Sequence, residues 1–137
     1  MPGLRDRPLS DYEAIALSSR QIALTMAQRA LSLKADDVVV LDLRKLSFSF
    51  DFFVLCSGSS DRRIRTVAED IEEDLAAQGV HLGHVEGRRE GVWLLLDYGP
   101  VVVHIFSPEV RRFYDLERLW GDAPRLRISK KRHSNHP

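Results

Sequence analysis

The sequence is poor in cysteine and lacks any long run of apolar residues. Cys56 is the one cysteine in 137 residues, so the chain cannot close an internal disulfide, and this usage is typical of a reducing compartment. No apolar run approaches the roughly 18 to 20 residues that a membrane span needs. Residues 1–11 contain two arginines but no apolar segment, which argues against a secretory signal. These absences predict a cytoplasmic protein that does not contact a membrane.

The sequence also lacks a net charge, but the two signs are unevenly distributed. Lysine plus arginine and aspartate plus glutamate each total 20. Five of the cations and none of the acids follow residue 122, so residues 1–122 carry a charge of −5 and residues 123–137 carry +5. We therefore predict an acidic domain over 20–122, a leader over 1–19 that is poorly ordered or begins the first helix, and a flexible basic tail over 123–137. The acidic part of the chain, residues 1–122, is called the body below, and its charge attracts basic partners. The basic tail either stays solvated or contacts phosphates.

The hydrophobic pattern predicts a single α/β domain, with a mixed sheet of about five strands and helices packed on it. Apolar residues recur at helical spacing in three segments, 11–34, 61–77 and 108–120. The last of these helices should begin after Ser107, which is suited to an N-cap, with Pro108 at its first position. Shorter apolar segments predict strands at 38–43, 52–56 and 80–85, and two further strands form a hairpin over 93–106. The segment 52–56 is almost wholly apolar, as expected for an inner strand that is covered on both faces.

The hairpin has two chemically different faces, because side chains alternate along a strand. A two-residue turn at Gly99-Pro100 pairs Asp97 with Val102, Leu95 with His104, and Trp93 with Phe106. These six residues form what we call the mixed face. The opposite face is apolar, and we predict that its residues lie in the hydrophobic core: Leu94, Leu96, Tyr98, Val101, Val103 and Ile105. Aromatic, aliphatic and polar groups together are typical of a protein–protein contact surface. The alternative is that a helix covers the mixed face and satisfies Asp97 and His104 internally.

A glycine turn provides the one candidate for an enzyme. Gly58-Ser59 followed by Asp70 and Glu72 loosely matches the Gly-Ser…Asp-x-Glu pattern of nucleotidyltransferases, in which two carboxylates on a strand hold magnesium. Here both acids fall in a predicted helix, where positions two apart diverge by about 200° and cannot share a metal. We expect Ser59 and Asp61 to cap that helix, and we predict no catalytic, cofactor or metal site. The rival interpretation is a nucleotide-binding enzyme that uses Gly58, Ser59 and Asp61.

Five ordered blocks of the sequence together resemble the Iojap family of ribosomal silencing factors. The blocks are 51–60 (DFFVLCSGSS), 86–87 (EG), 93–99 (WLLLDYG), 102–106 (VVHIF) and 112–120 (RFYDLERLW). The resemblance covers residues 20–122, and the ordered set is far more specific than any single motif. The sequence departs from the family pattern at Pro100, where the family usually has aspartate.

The resemblance implies a nucleotidyltransferase-like fold without the catalytic carboxylates. It also implies a protein that binds the large ribosomal subunit through its protein number fourteen, blocks joining of the small subunit and lowers translation when nutrients are scarce. Members are commonly dimers, and no cofactor is implied. We predict Trp93, Asp97, Tyr98 and His104 as the partner-binding residues, and a contact of the basic tail with ribosomal RNA.

Overall fold

The computed structural model describes residues 17–128, so most of the predicted leader and the end of the predicted tail lie outside the described residues. Within this range the helices are α1 (Ser19–Ser32), α2 (Asp61–Ala77), α3 (Pro108–Tyr114) and α4 (Leu116–Leu119). The strands are β1 (Asp36–Asp42), β2 (Phe52–Ser57), β3 (His84–Glu86), β4 (Trp93–Asp97) and β5 (Val101–Phe106).

The strands form one mixed sheet in the order β1-β2-β5-β4-β3. β2 and β5 run parallel, and every other neighbouring pair is antiparallel. All side chains of β2 and β5 are buried, because these strands lie inside the sheet and are covered on both faces. The predicted fold class, a mixed sheet of about five strands with helices packed on it, is confirmed.

Helices α1 and α2 cover the apolar face of the sheet. Three alanines of α1, Ala23, Ala27 and Ala30, are wholly buried, and their small side chains let the helix lie close to the strands. The core on this side also contains larger aliphatic residues from α2 and the hairpin, among them Ile64, Ile71, Leu94, Leu96, Val103 and Ile105. Helix α2 thus uses the stripe that the sequence predicts. No helix within residues 17–128 is long and apolar enough to cross a membrane.

Shorter segments cover the mixed face. They are α3, α4 and the β1–β2 loop, which surround a second apolar cluster: Leu41, Leu43, Phe53, Leu55, Val102, Phe106 and Ala123. Trp93, Leu95 and Trp120 pack against this cluster while remaining partly exposed. The mixed face is therefore covered in part, and its β4 side remains accessible.

Two helix predictions need correction. Of the predicted helix 11–34, residues 11–16 lie outside the described residues, and α1 begins at Ser19, where Ser18 and Gln21 form a capping box. The predicted helix 108–120 is interrupted at Asp115, whose φ of 45° and ψ of 57° are left-handed and separate α3 from α4. Strand β3 is also shorter than the predicted 80–85 strand and lies later, at His84–Glu86.

The predicted boundary at residue 122 is too early. Ala123 is buried, the Asp42 amide donates to the Pro124 carbonyl at 2.8 Å, and the Leu126 amide donates to the Val40 carbonyl at 2.9 Å. These bonds cover the outer edge of β1, which would otherwise leave backbone groups unpaired. Residues 123–126 therefore belong to the folded domain and not to a flexible tail.

Candidate partner-binding surface

The β4–β5 hairpin has the predicted register. Its cross-strand pairs include Trp93 with Phe106, Leu95 with His104, and Asp97 with Val102. At the turn, the Gly99 amide donates to Oδ1 of Asp97 at 2.7 Å, and Gly99 has a φ of 92° that suits glycine. The carbonyl of Pro100 accepts hydrogen bonds from the Asp51 and Phe52 amides, so proline fits this hairpin and ties it to β2.

Trp93 is held in a defined orientation at the accessible side of the mixed face. Its indole Nε1–H donates to Nδ1 of His104 at 3.1 Å. The ring centroid lies 5.5 Å from that of Phe106 and 4.7 Å from that of Tyr114 on α3. The indole is half-buried, so one part is anchored and another part faces solvent.

His104 lies beneath the surface. It is only 4% exposed, and burial lowers its pKa to about 4, so the ring is neutral at physiological pH. Its Nδ1 accepts from Trp93, and its Nε2 has no hydrogen-bond partner among residues 17–128. Nδ1 of His104 is thus satisfied inside the protein, although by Trp93 of β4 and not by a residue of a covering helix.

Tyr98 does not lie with Trp93. It packs against the core of the apolar face, and its hydroxyl is buried without a hydrogen-bond partner in the described part of the chain. Burial raises its pKa to about 12, with the charge of Glu72 contributing further. Asp97 is half-buried at the end of β4, next to the turn that it stabilises. The structure thus brings together Trp93 and His104, places Asp97 at the hairpin end, and separates Tyr98 onto the other face.

Sequence reasoning missed two exposed aromatic residues beside Trp93. Phe113 is 80% exposed and Tyr114 is 53% exposed, although both are large. Their ring centroids are 5.0 Å apart, and Tyr114 contacts Trp93. Together, Trp93, Phe113 and Tyr114 form what we call the aromatic patch. The signal was present in the sequence, because two consecutive aromatic residues on a helix cannot both face the sheet.

The glycine turn has a structural explanation. Gly58 is buried, and a Cβ there would lie 2.9 Å from Cγ1 of Ile64, so glycine is needed where the start of α2 packs against β2. The helix cap is Ser60, whose hydroxyl accepts from the Arg63 amide at 3.1 Å. The predicted cap Ser59 was therefore wrong by one position, whereas Asp61 lies in the first turn of α2, where its charge faces the positive end of the helix as expected.

The two acids of the enzyme pattern point to different partners, as the helical spacing predicts. Asp70 pairs with Arg29 on α1 at 3.4 Å. Glu72 pairs with Arg88 in the β3–β4 connection at 2.8 Å. Within residues 17–128 there is also no group of three or more histidine, cysteine, aspartate or glutamate side chains placed to hold a metal ion. Asp70 and Glu72 therefore do not form the pair of carboxylates that nucleotidyl transfer uses to hold magnesium.

Comparison with known proteins identifies the family. A family model described as "Ribosomal silencing factor during starvation" matches residues 16–137. The chain belongs to this family. The match extends beyond the 20–122 region of the resemblance, in agreement with the pairing of residues 123–126 to β1.

Ribosomal silencing factors from several bacteria are similar to the chain along most of its length. The factor from Halalkalibacterium halodurans is 37% identical over 111 residues, which cover 80% of this chain and 95% of the relative. The factor from Bacillus subtilis is 40% identical over 91 residues, covering 66% and 77%. The chloroplastic Iojap protein of maize is 32% identical over 119 residues, covering 87% of this chain and 50% of the relative.

Solved structures of similar proteins have the same fold. A crystal structure of a Chromobacterium violaceum protein matches with a TM-score of 0.74 and 30% identity, covering 86% of this chain and 98% of the other. A crystal structure from Bacillus halodurans matches with a TM-score of 0.70 and 30% identity, covering 80% and 99%. The family is named for silencing ribosomes and not for a catalysed reaction, which fits the missing carboxylate geometry.

Proposed function

We propose that this protein binds the large ribosomal subunit through its protein number fourteen and thereby blocks joining of the small subunit. By blocking subunit joining, the protein lowers translation when nutrients are scarce. It acts in the cytoplasm, uses no cofactor and catalyses no reaction. Membership of the silencing-factor family supports a ribosomal partner. The aromatic patch is the single observation that carries the choice of surface, since it exposes large apolar rings at the edge of a rigid sheet.

The aromatic patch has the properties of a binding hot spot. Hot spots are enriched in tryptophan and tyrosine, and they depend on groups that are already held in their bound orientation. Trp93 meets both conditions, because the His104 bond and the Tyr114 and Phe106 rings restrict its indole. Little side-chain entropy is then lost on binding.

Charge complements this apolar anchor. Residues 1–122 carry a charge of −5, and ribosomal proteins are generally basic, so the body attracts such a partner during encounter. Asp97 lies at the hairpin end, and its carboxylate has lone pairs beyond the one used by the Gly99 amide. We assign Asp97 to accept a hydrogen bond from a lysine or arginine of the partner. Tyr98 supports the hairpin from the apolar face.

The assignment is tested by sedimentation of the purified protein with separated ribosomal subunits. Trp93→Ala should weaken binding to large subunits by about 30-fold, which corresponds to ~2 kcal/mol at a hot spot. Tyr98→Phe, on the other face, removes a hydroxyl without a described partner and should bind within about twofold of wild type. Folding of both variants is checked by circular dichroism. Undiminished binding by folded Trp93→Ala would refute the site.

Subunit selectivity tests the occlusion mechanism. An anchor desolvated against one protein is held by apolar burial, so binding to large subunits should survive about 0.15 M salt and binding to small subunits should be absent. The protein should reduce the formation of joined ribosomes when added before mixing, and act weakly on ribosomes that are already joined. Equal binding to both subunits, or full activity on joined ribosomes, would contradict this mechanism.

Two further partners are proposed, a second copy of the chain and ribosomal RNA. We propose a homodimer in solution, which analytical ultracentrifugation at several protein concentrations would detect. We also propose that the basic tail contacts ribosomal RNA, because its cations are suited to phosphates. A monomer at all concentrations would exclude the first of these.

A further inference from the structure

The orientation of Trp93 depends on one polar contact. Its neighbours Phe106 and Tyr114 are aromatic rings, which favour close packing but accept several offsets. The hydrogen bond from Nε1–H to Nδ1 of His104, 3.1 Å long, is the one directional contact the structure gives the indole within residues 17–128. Removing the acceptor would leave a part-buried donor unpaired, which is costly.

His104 is a rigid acceptor. It lies on β5, the middle strand of the sheet, and is 4% exposed. Its ring centroid is 4.8 Å from that of Phe53 on β2 and 6.0 Å from that of Phe106 on its own strand, in a stacked arrangement. A buried ring in contact with Phe53 at its edge and stacked on Phe106 has little freedom to turn, so the position of Nδ1 is well defined.

The tautomer of His104 follows from its partner. Because Nδ1 accepts the Trp93 proton, the proton of the neutral ring is on Nε2. Nε2 is buried and has no partner among residues 17–128, so the ring has no other polar contact there to explain a histidine. An aliphatic residue would fill the same space between Leu55 and Leu95, the neighbours of His104 in register. The bond to Trp93 is what distinguishes histidine from leucine at this position.

We infer that His104 is a positioning residue: it holds the Trp93 indole in the orientation that the ribosomal partner binds, and it does not touch the partner itself. This inference rests on the proposed function, since it assigns a role to a buried residue in the same binding event. It replaces the predicted direct contact of His104 with an indirect one.

Two variants separate the acceptor from the packing. His104→Leu keeps an apolar side chain of similar size but has no acceptor. His104→Asn is smaller, yet its side-chain oxygen lies near the position of Nδ1 and can accept the same bond. We expect His104→Leu to bind large subunits about fivefold more weakly, the size of one net hydrogen bond, and His104→Asn to recover most of this loss. Equal loss in both variants would contradict the inference.

A double-mutant cycle distinguishes positioning from general support of the fold. Trp93→Phe keeps an aromatic ring but has no indole N–H. If His104 acts through that N–H, His104→Leu should weaken binding in the wild-type background and have no further effect in the Trp93→Phe background. The same loss in both backgrounds would overturn the positioning role of His104 and leave the proposed binding site intact. Binding that is unchanged by both Trp93→Phe and Trp93→Ala would overturn the proposed site together with it.

The wild-type protein provides a test that does not depend on folded variants. In a ¹⁵N-labelled sample, a coupling across the hydrogen bond should connect Nε1 of Trp93 with Nδ1 of His104, and the nitrogen shifts should show the proton on Nε2. The Trp93 indole should also be as ordered as the backbone on the fast timescale. A freely moving indole, or a ring protonated on Nδ1 at neutral pH, would refute the inference even if every substitution failed to fold.

Discussion

At the residue scale, the polar side chains of the mixed face, and Ser57 on the neighbouring strand β2, orient neighbouring groups. His104 accepts from Trp93, Asp97 accepts from the Gly99 amide, and Ser57 accepts from Arg111. Their common effect is a surface whose aromatic residues are already in place before a partner arrives.

The buried histidine makes a prediction for stability against pH. Burial lowers the pKa of His104 to about 4 in the folded protein, whereas the unfolded chain has an ordinary value of about 6.5. Below pH 6.5 the unfolded state takes up a proton that the folded state does not, so the free energy of unfolding should fall as the pH falls from 6.5 to 4. The total loss should be about 3 kcal/mol.

Urea denaturation at several pH values measures this effect. His104→Asn lacks the titrating group, so its stability should change less than that of wild type between pH 6.5 and 4. His81→Asn, at an exposed histidine, is the matched control for the substitution itself. Identical slopes in wild type and His104→Asn would show that the histidine is not held neutral.

At the element scale, α3 and α4 are too short to be stable alone, so their contacts with the sheet decide their position. Arg111 of α3 provides the main polar link. It is 8% exposed, donates to Oγ of Ser57 at 3.0 Å, and makes two bonds to Glu117 of α4 at 3.1 and 3.0 Å. One guanidinium thus connects β2 with both helices that frame the aromatic patch.

Removing the charge of Glu117 should therefore loosen both helices. Glu117→Gln leaves the buried Arg111 without its counter-charge, and the expected loss of stability is about 3 kcal/mol, at the lower end for buried pairs because Glu117 is partly exposed. Thermal and urea unfolding measure the loss, with Glu90→Gln at an exposed position as the control. In the Glu117→Gln variant, backbone hydrogen exchange should show faster opening of α3 than of α2. An unchanged free energy of unfolding would mean that apolar packing alone holds these helices.

At the scale of the whole molecule, the charge asymmetry between body and tail is modified by the fold. Residues 123–126 pair with β1, and Arg125 lies 3.8 Å from Glu117, so part of the basic segment is used inside the domain. The cations beyond the described residues are Lys130, Lys131 and Arg132. Arg127, within the described residues, is exposed, and the proposed contact with phosphates would use these four cations.

Deleting residues 129–137 should cause a mild loss of affinity for large subunits. The salt slope of binding should decrease by about 0.7 to 0.9 for each lost phosphate contact. Binding measured between 0.05 and about 0.3 M salt checks both quantities, with substitution of the three cations by glutamine as the matched control for length. Abolished binding would instead favour an RNA-binding protein that depends on its tail.

A thermal shift with nucleoside triphosphates and magnesium tests the rival class. A ligand at 100 times its dissociation constant adds about 2.7 kcal/mol of stability. We expect no shift, because Gly58 serves helix packing and the acids of the pattern are paired with arginines on different elements. A shift that depends on magnesium would revive the nucleotide-binding interpretation.

The sequence alone determined the features that depend on local spacing. The two-residue period from Trp93 to Asp97, with a turn at Gly99-Pro100, was enough to predict the register and the two faces of the hairpin. Ser107 and Pro108 were enough to predict the start of α3, since capping is a local interaction. The apolar segment 52–56 was enough to predict an inner strand.

Only the tertiary structure decided which of these groups are accessible. His104 and Trp93 share a face in the sequence pattern, yet one is buried and the other half-exposed, because the rings of Phe53, Phe106 and Trp93 itself surround His104. The pairing of residues 123–126 depends on a contact with β1, which is distant in the sequence. Periodicity records which side chains share a face, whereas exposure depends on what the rest of the chain places over that face.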